Sequence, residues 1–143
     1  MHRNRGIAFT AALALLAGGP ALAQGGGKAV VVPKADLKWA DAGVPGVSTA
    51  AVEGDMTKGP SHFFLRYAGG LVTPVHHHTA DHYVTTLSGN LVLVADGKET
   101  KLAPGAYFAL TGKAKHAARC EGTEACVMFI DARGAWDVVP ETK

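Results

Sequence analysis

Past residue 24 the chain lacks any apolar run approaching the about 20 residues that a membrane-crossing helix needs. It also lacks a cluster of Lys and Arg, which a nucleic-acid binder or a membrane-surface protein would usually display. There is no Gly-rich phosphate loop, no nucleophile motif of the G-x-S-x-G type and no second cluster of carboxylates. These absences remove nucleic acid and membrane from the expected partners, and phosphate cradling and serine nucleophilicity from the expected chemistry. Helical periodicity of useful length is missing too, and only two cysteines are present.

What is there begins with residues 1–23. Arg3 and Arg5 precede an apolar run from Ile7 to Ala17, and the small-residue site Ala21-Leu22-Ala23 follows. This is the layout of a secretory signal peptide, with an amphipathic N-terminal helix of the fold as the alternative. Cleavage after Ala23 would remove two of the fourteen Lys and Arg and none of the twelve Asp and Glu, leaving twelve of each sign and a formally neutral chain. The expected location is periplasmic or secreted. With 143 residues and 48% apolar composition, the chain suits one globular domain with a real core.

From His62 onward, β-branched and aromatic runs alternate with Gly, Pro and Asp breaks: "HFFLRY", "HYVTTLSG", "NLVLVADGKETKL", "AYFALTG", "HAARC", "ACVMFIDA" and "WDVV". Short strands at such spacing predict an all-β sandwich or barrel, with Asp96-Gly97 as a tight hairpin turn. "KAVVVP" at 28–33 reads as a further strand, and the turn-rich stretch after it as an arm. The expected organisation is therefore a signal peptide over 1–23, an N-terminal strand and arm over 24–58 packed on the barrel, and the β domain over 59–143. Cys120 and Cys126 flank "EGTEA", a plausible hairpin connection. Two readings stand for them: a disulfide between facing antiparallel strands, which an oxidising compartment would preserve, or two small apolar core residues.

The stretch "TPVHHHTADHYVTTLSG", 73–89, carries four of the seven histidines. Residues two apart on a strand share a face, so His76 and His78 point one way and His77 the other. His82 has the parity of His78 and joins that face if the chain stays in phase through Thr79–Asp81. Val84 and Thr86 would then line the same interior, with Tyr83, Thr85 and Leu87 outside. Three imidazoles facing inward are costly to bury without a partner, and a metal ion is the natural one. His116 is the expected distant ligand, while His62, at a strand start behind Gly59-Pro60-Ser61, is expected to be solvated. Asp81 either orients His78 or His82 or caps a turn.

The stretch from Gly70 to Gly89 is similar to the first motif of the cupin superfamily, with Gly70, His76, His78 and Gly89 in register and His82 in place of the motif's glutamate. Gly105 and His116 match the second motif, in which Thr111, Lys113 and Cys120 replace the Pro, Gly and Asn. The resemblance covers roughly residues 60–130. It implies a single-domain jelly-roll β-barrel (a double-stranded β-helix) holding one divalent metal ion per chain, with His76, His78, His82 and His116 as ligands by position. It further resembles the small four-histidine cupins associated with manganese, iron or copper and with oxidative chemistry. It leaves open a barrel whose site is empty, and a homodimer as an alternative to the monomer.

Imidazole also suits Zn and Ni, so the ligands alone do not fix the metal. Four neutral ligands leave its charge uncompensated, which strengthens binding of water, hydroxide or an anionic substrate at an open position. Tyr107, Phe108, Phe64 and Met128 are candidates to line an apolar pocket for a small-molecule substrate or ligand, with core packing as their alternative. Trp39 and Trp136 are candidates to close a barrel end. The first expectation is a dioxygenase-like oxidoreductase. A redox-silent lyase or isomerase would need a proton-transfer group, for which only Tyr107 or His62 offers itself. A binding or sensing module would show a coordinatively closed site.

Overall fold

The structure, a computed structural model, describes residues 27–142. The signal-peptide reading of residues 1–23 lies outside the described residues. From Val31 onward the chain forms one compact unit. Its strands are β1 (Ala40–Asp41), β2 (Val47–Gly54), β3 (Ser61–Tyr67), β4 (His76–His77), β5 (His82–Ser88), β6 (Asn90–Ala95), β7 (Lys98–Leu102), β8 (Tyr107–Leu110), β9 (His116–Glu121), β10 (Cys126–Ala132) and β11 (Val139–Pro140). A six-stranded sheet runs β1-β2-β3-β10-β5-β8 and a five-stranded sheet runs β11-β4-β9-β6-β7, with every pairing antiparallel. This is the all-β, double-sheet barrel that the strand spacing predicts. Helical structure among the described residues amounts to one 3-10 turn at Lys34–Asp36, and no helix is long and apolar enough to cross a membrane.

The core follows from alternation. Phe63 and Leu65 on β3, Val84 on β5, and Cys126, Met128, Ile130 and Ala132 on β10 face Leu91 and Leu93 on β6 and Ala118 and Cys120 on β9. Each set steps by two residues, so one face of each sheet is apolar and the two faces share one interior. Val84 and Thr86 are buried while Leu87 is exposed, as the parity of 82–88 requires. The β6–β7 hairpin turns at Asp96 and Gly97, both with positive φ (51° and 71°), the conformation of a two-residue hairpin whose twist matches its strands.

Three local readings change. Lys28–Pro33 forms no strand: Val30, Val31 and Val32 are 40–80% exposed, because β propensity without a ladder partner does not make a strand. The first long strand is instead β2, whose Ser, Ala and Gly content hides it in the sequence and whose residues pair with the short β1 and with β3. Of "WDVV", only Val139 enters a strand, and β11 pairs with β4.

Cys120 and Cys126 form a disulfide, with Cα atoms 5.7 Å apart. It does not bridge a hairpin, because β9 and β10 belong to different sheets. The bridge staples the two sheets together at the end of the barrel interior, with both residues essentially unexposed. Gly89, at the β5–β6 turn beside it, has φ +74°, and a Cβ there would stand 2.7 Å from the Ala125 carbonyl oxygen and 2.8 Å from Cys126 Sγ. Glycine is therefore required on two counts, backbone conformation and space.

Closing so short a loop stabilises the fold by about 2–3 kcal/mol in the chain-entropy model. The double variant Cys120→Ala/Cys126→Ala should lower the unfolding free energy by about 2–4 kcal/mol, read as a lower urea midpoint. An unchanged midpoint would mean that the sheets hold each other without the staple.

Candidate metal centre

His76 begins β4, and its register partner is His116 at the start of β9, so both belong to the five-stranded sheet. His82 begins β5 in the six-stranded sheet, opposite Leu110 on one side and Ala132 on the other. The short connection Thr79–Asp81 thus carries the chain from one sheet to the other and returns it in phase. His78 sits at the crossing. All four side chains are buried, at 4–5% exposure. One ring nitrogen from each of His76, His78 and His116 lies within 4.8 Å of the others, a group that could hold a metal ion. The His82 ring lies 4.6 Å from that of His78 and 6.0 Å from that of His116, centroid to centroid.

The other ring nitrogen of each histidine is already committed. Nδ1 of His76 faces the Pro74 carbonyl at 2.8 Å, that of His116 the Ala114 carbonyl at 2.9 Å, and that of His82 the Ala80 carbonyl at 3.4 Å. Nδ1 of His78 faces the Asp137 carbonyl. A carbonyl oxygen only accepts, so each Nδ1 donates and each Nε2 is left with its lone pair. A lone pair buried at 4–5% exposure has little water to turn to. The donor set therefore fits a divalent transition metal: neutral imidazoles, tautomers fixed by backbone carbonyls, lone pairs gathered between two sheets.

Burial pushes His78 down to about 3 and His116 down to about 4, and lowers His82 as well, with neighbouring imidazoles adding to the effect. Near neutral pH these three rings are uncharged and ready to ligate.

The loops around the cluster are tied to one another. Lys113 donates its backbone N–H to the His78 carbonyl at 2.9 Å, and it does so at φ +65°. That is the position where the second cupin motif has glycine, and Lys113 takes up here a positive φ that glycine adopts without strain. Asp81 orients neither His78 nor His82: its carboxylate accepts from the Gly112 N–H at 2.6 Å, joining the His82 loop to the loop that precedes His116.

His77 points away from the cluster, as its parity requires, and its Nδ1 meets Glu141 Oε1 at 2.6 Å. His62 lies 2.9 Å from Glu53 and 3.4 Å from Asp131, with its side chain 40% exposed, outside the cluster as expected.

Two cavities adjoin the site. A small one of about 30 Å³ lies inside the barrel, bordered by His78, His82 and His116 together with Phe108, Met128 and other apolar residues. A groove of about 560 Å³ opens beside His76 and His78, walled mainly by apolar side chains. Tyr107 is not part of either. It is 61% exposed on β8, while its neighbour Phe108 faces inward, so the tyrosine is excluded as a catalytic group at the cluster. Phe64 is likewise on the outer face, packed on Phe129, and Phe63 takes the interior. Trp39 closes no barrel end, since it lies in an outer groove with the Arg66 guanidinium 4.3 Å over its ring.

Trp136 is where sequence reasoning fell short. It stacks on His78 at 4.0 Å and meets His82 edge-on at 5.1 Å, so it covers the histidines themselves. The stretch behind it is pinned in several places. Trp136 N–H donates to the Met56 carbonyl, Asp137 accepts from both the N–H and the hydroxyl of Thr79, and β11 pairs with β4. The only sequence signal was a tryptophan close to a pairable strand.

An antiparallel double-sheet barrel with imidazoles gathered at one end of its interior defines a class of β-barrel proteins whose histidines could hold a metal ion. Residues 63–131 match the model of the Cupin domain, and the chain belongs to the cupin superfamily. Among solved structures, the polyketide cyclase RemF from Streptomyces resistomycificus is similar at TM-score 0.67 and 18% identity, over 79% of this chain and 85% of that one. KdgF from Halomonas sp. is similar at TM-score 0.60 and 20% identity, over 71% and 92%. The lyase DddQ from Ruegeria pomeroyi DSS-3 is similar at TM-score 0.62 and 19% identity, over 76% and 64%. At these identities the likeness is one of fold. Among curated proteins no sequence match is found.

His78→Ala should abolish stoichiometric metal binding, whereas His77→Ala should leave it within about twofold of the parent. Elemental analysis of the two purified variants checks this, and equal loss in both would show that strand parity does not select the ligands. A second expectation concerns acid. Each lowered histidine has a folded-state pKa below its ordinary 6.5, so below pH 6.5 the unfolded chain takes up protons that the folded chain refuses. Metal-stripped protein should keep its full stability above pH 6.5 and lose it progressively as the pH falls toward 4. Denaturant midpoints from pH 7.5 to 4.5 measure this, and His78→Ala/His116→Ala should show a flatter profile.

Proposed function

We propose that the protein is an exported mononuclear metal enzyme, an oxidoreductase of dioxygenase-like type acting on a small, mainly apolar organic molecule. The observation that carries this reading is the apolar groove of about 560 Å³ bordered directly by His76 and His78. A module that merely stores or senses a metal would be expected to close its site, whereas a groove of this size admits an organic ligand.

In this reading His82 joins His76, His78 and His116 as the fourth ligand. Its support is burial at 4% exposure, a ring 4.6 Å from that of His78 and an Nδ1 already turned to a backbone carbonyl. A bound manganese, iron or copper ion supplies Lewis acidity and one-electron redox chemistry. The chain's own residues do the rest. The carbonyls of Pro74, Ala80, Ala114 and Asp137 hold the imidazoles in one tautomer, Trp136 screens His78 and His82 from water, and the apolar walls desolvate the ligand.

The redox-silent alternative is less well supported. The two groups expected to move a proton for a lyase or isomerase, Tyr107 and His62, both lie on the outer surface. Export is supported by the buried Cys120–Cys126 disulfide, which an oxidising compartment maintains.

The test is metal content followed by oxygen uptake, on protein purified from the export compartment without added metal. About one Mn, Fe or Cu per chain, with oxygen consumed on adding small β-diketones or phenols, is the expected result. Stoichiometric zinc with no uptake would move the reading to redox-silent chemistry or binding. Metal-free protein that takes up none on titration would overturn it.

A further inference from the structure

The inner cavity and the groove share four wall residues: Leu65, Tyr67, His78 and Trp136. These four mark where the groove meets the barrel interior beside the histidines. Leu65 is apolar, His78 has its Nδ1 committed, and Trp136 is stacked on His78. Tyr67 is different. It ends β3 on the inward-facing side, two residues beyond Leu65, and the sequence drew no attention to it.

Burial alone pushes its phenol up to about 12, with no hydrogen bond acting on it. The hydroxyl therefore stays protonated over the whole physiological range and is a donor without an acceptor among the described residues. Tyr67 is only partly buried and its hydroxyl is not closed off from solvent, so an acceptor on a ligand lying in the groove can take the place of water there. The rest of the groove narrows the ligand further. Its only ionisable side chains besides the histidines and Tyr67 are Asp41 and Asp137, which accept from the Gly43 N–H and from Thr79. Among the described residues no lysine or arginine borders it, so the part of a ligand lying away from the histidines finds no side-chain counter-charge there.

We propose that Tyr67 is the ligand-orienting residue of this groove, its hydroxyl donating to a carbonyl oxygen of an uncharged, mainly apolar molecule whose other end reaches His76 and His78. The proposal rests on reading the groove as a ligand site, and it does not depend on the reaction being oxidative. One such hydrogen bond, set against an otherwise apolar surface, distinguishes a ketone from a hydrocarbon of the same shape.

The experiment uses the full-length metal-loaded protein and two probes of nearly equal size: cyclohexanone and methylenecyclohexane, which lacks the acceptor. Ligand-observed NMR titration gives the affinities, and elemental analysis gives the metal content. The parent protein should prefer cyclohexanone to methylenecyclohexane. Tyr67→Phe should weaken cyclohexanone about tenfold, the size of one net hydrogen bond, while leaving methylenecyclohexane and bound metal unchanged. Equal weakening of both probes would overturn the assignment of Tyr67. Failure of every probe to bind the parent would overturn the groove itself as a ligand site. Because binding is read without turnover, a negative oxygen-uptake result leaves this measurement intact, so the two readings fail separately. Val47→Trp, which fills the groove from another strand, should weaken both uncharged probes and so checks the location should Tyr67→Phe fail to fold.

Discussion

Each imidazole of the cluster has its Nδ1 turned to a backbone carbonyl, and the fitness of the cluster to hold a metal ion depends on that constraint. A free histidine exchanges tautomers and gains protons near neutrality; these rings are held in one tautomer, and burial keeps His78, His82 and His116 uncharged. Three of the four acceptors lie two residues before the histidine they fix, at Pro74, Ala80 and Ala114. A local turn before each strand is thus enough to aim the ring. The fourth, His78, takes its acceptor from Asp137, 59 residues away in sequence.

That exception makes the C-terminal stretch part of the centre. Asp137 offers its carbonyl to His78 and its carboxylate to Thr79, the residue next to it, while Trp136 lies on the same imidazole. Beyond it, β11 pairs with β4, and Glu141 joins His77 and Lys115. His76, His77 and His78 are therefore gripped from both faces: the outward histidine anchors the strand that covers the inward two. The run of three histidines has a place for each member: His76 and His78 turn into a cluster that could hold a metal ion, and His77 anchors the covering stretch.

Much of the architecture was legible because alternation is a strong constraint. In "HYVTTLS" the structure buries the positions that alternation assigns to the interior, and "CVMFIDA", expected only as a strand, buries every second residue in the same way. Legibility failed where alternation was ambiguous. "FF" at 63–64 and "YF" at 107–108 offer an aromatic to each face, so the phase of the strand had to come from its neighbours. The choice there decided which aromatics reach the interior: Phe63 and Phe108 do, while Phe64 and Tyr107 do not. Strand β2 was missed for a related reason, since small residues satisfy either face and carry little signal.

The sequence by itself determined the all-β class, the inward set of histidines and their kinship with the cupin motifs, because a period of two and fixed motif spacings are local properties of the chain. Tertiary structure alone decided that Cys120 and Cys126 join two sheets rather than two arms of a hairpin. It also decided that Trp136 lies on the histidines and that Tyr67 stands at the meeting of groove and interior. Those are matters of which strand neighbours which across the barrel, and nothing in the local order of side chains specifies a neighbour 59 residues away.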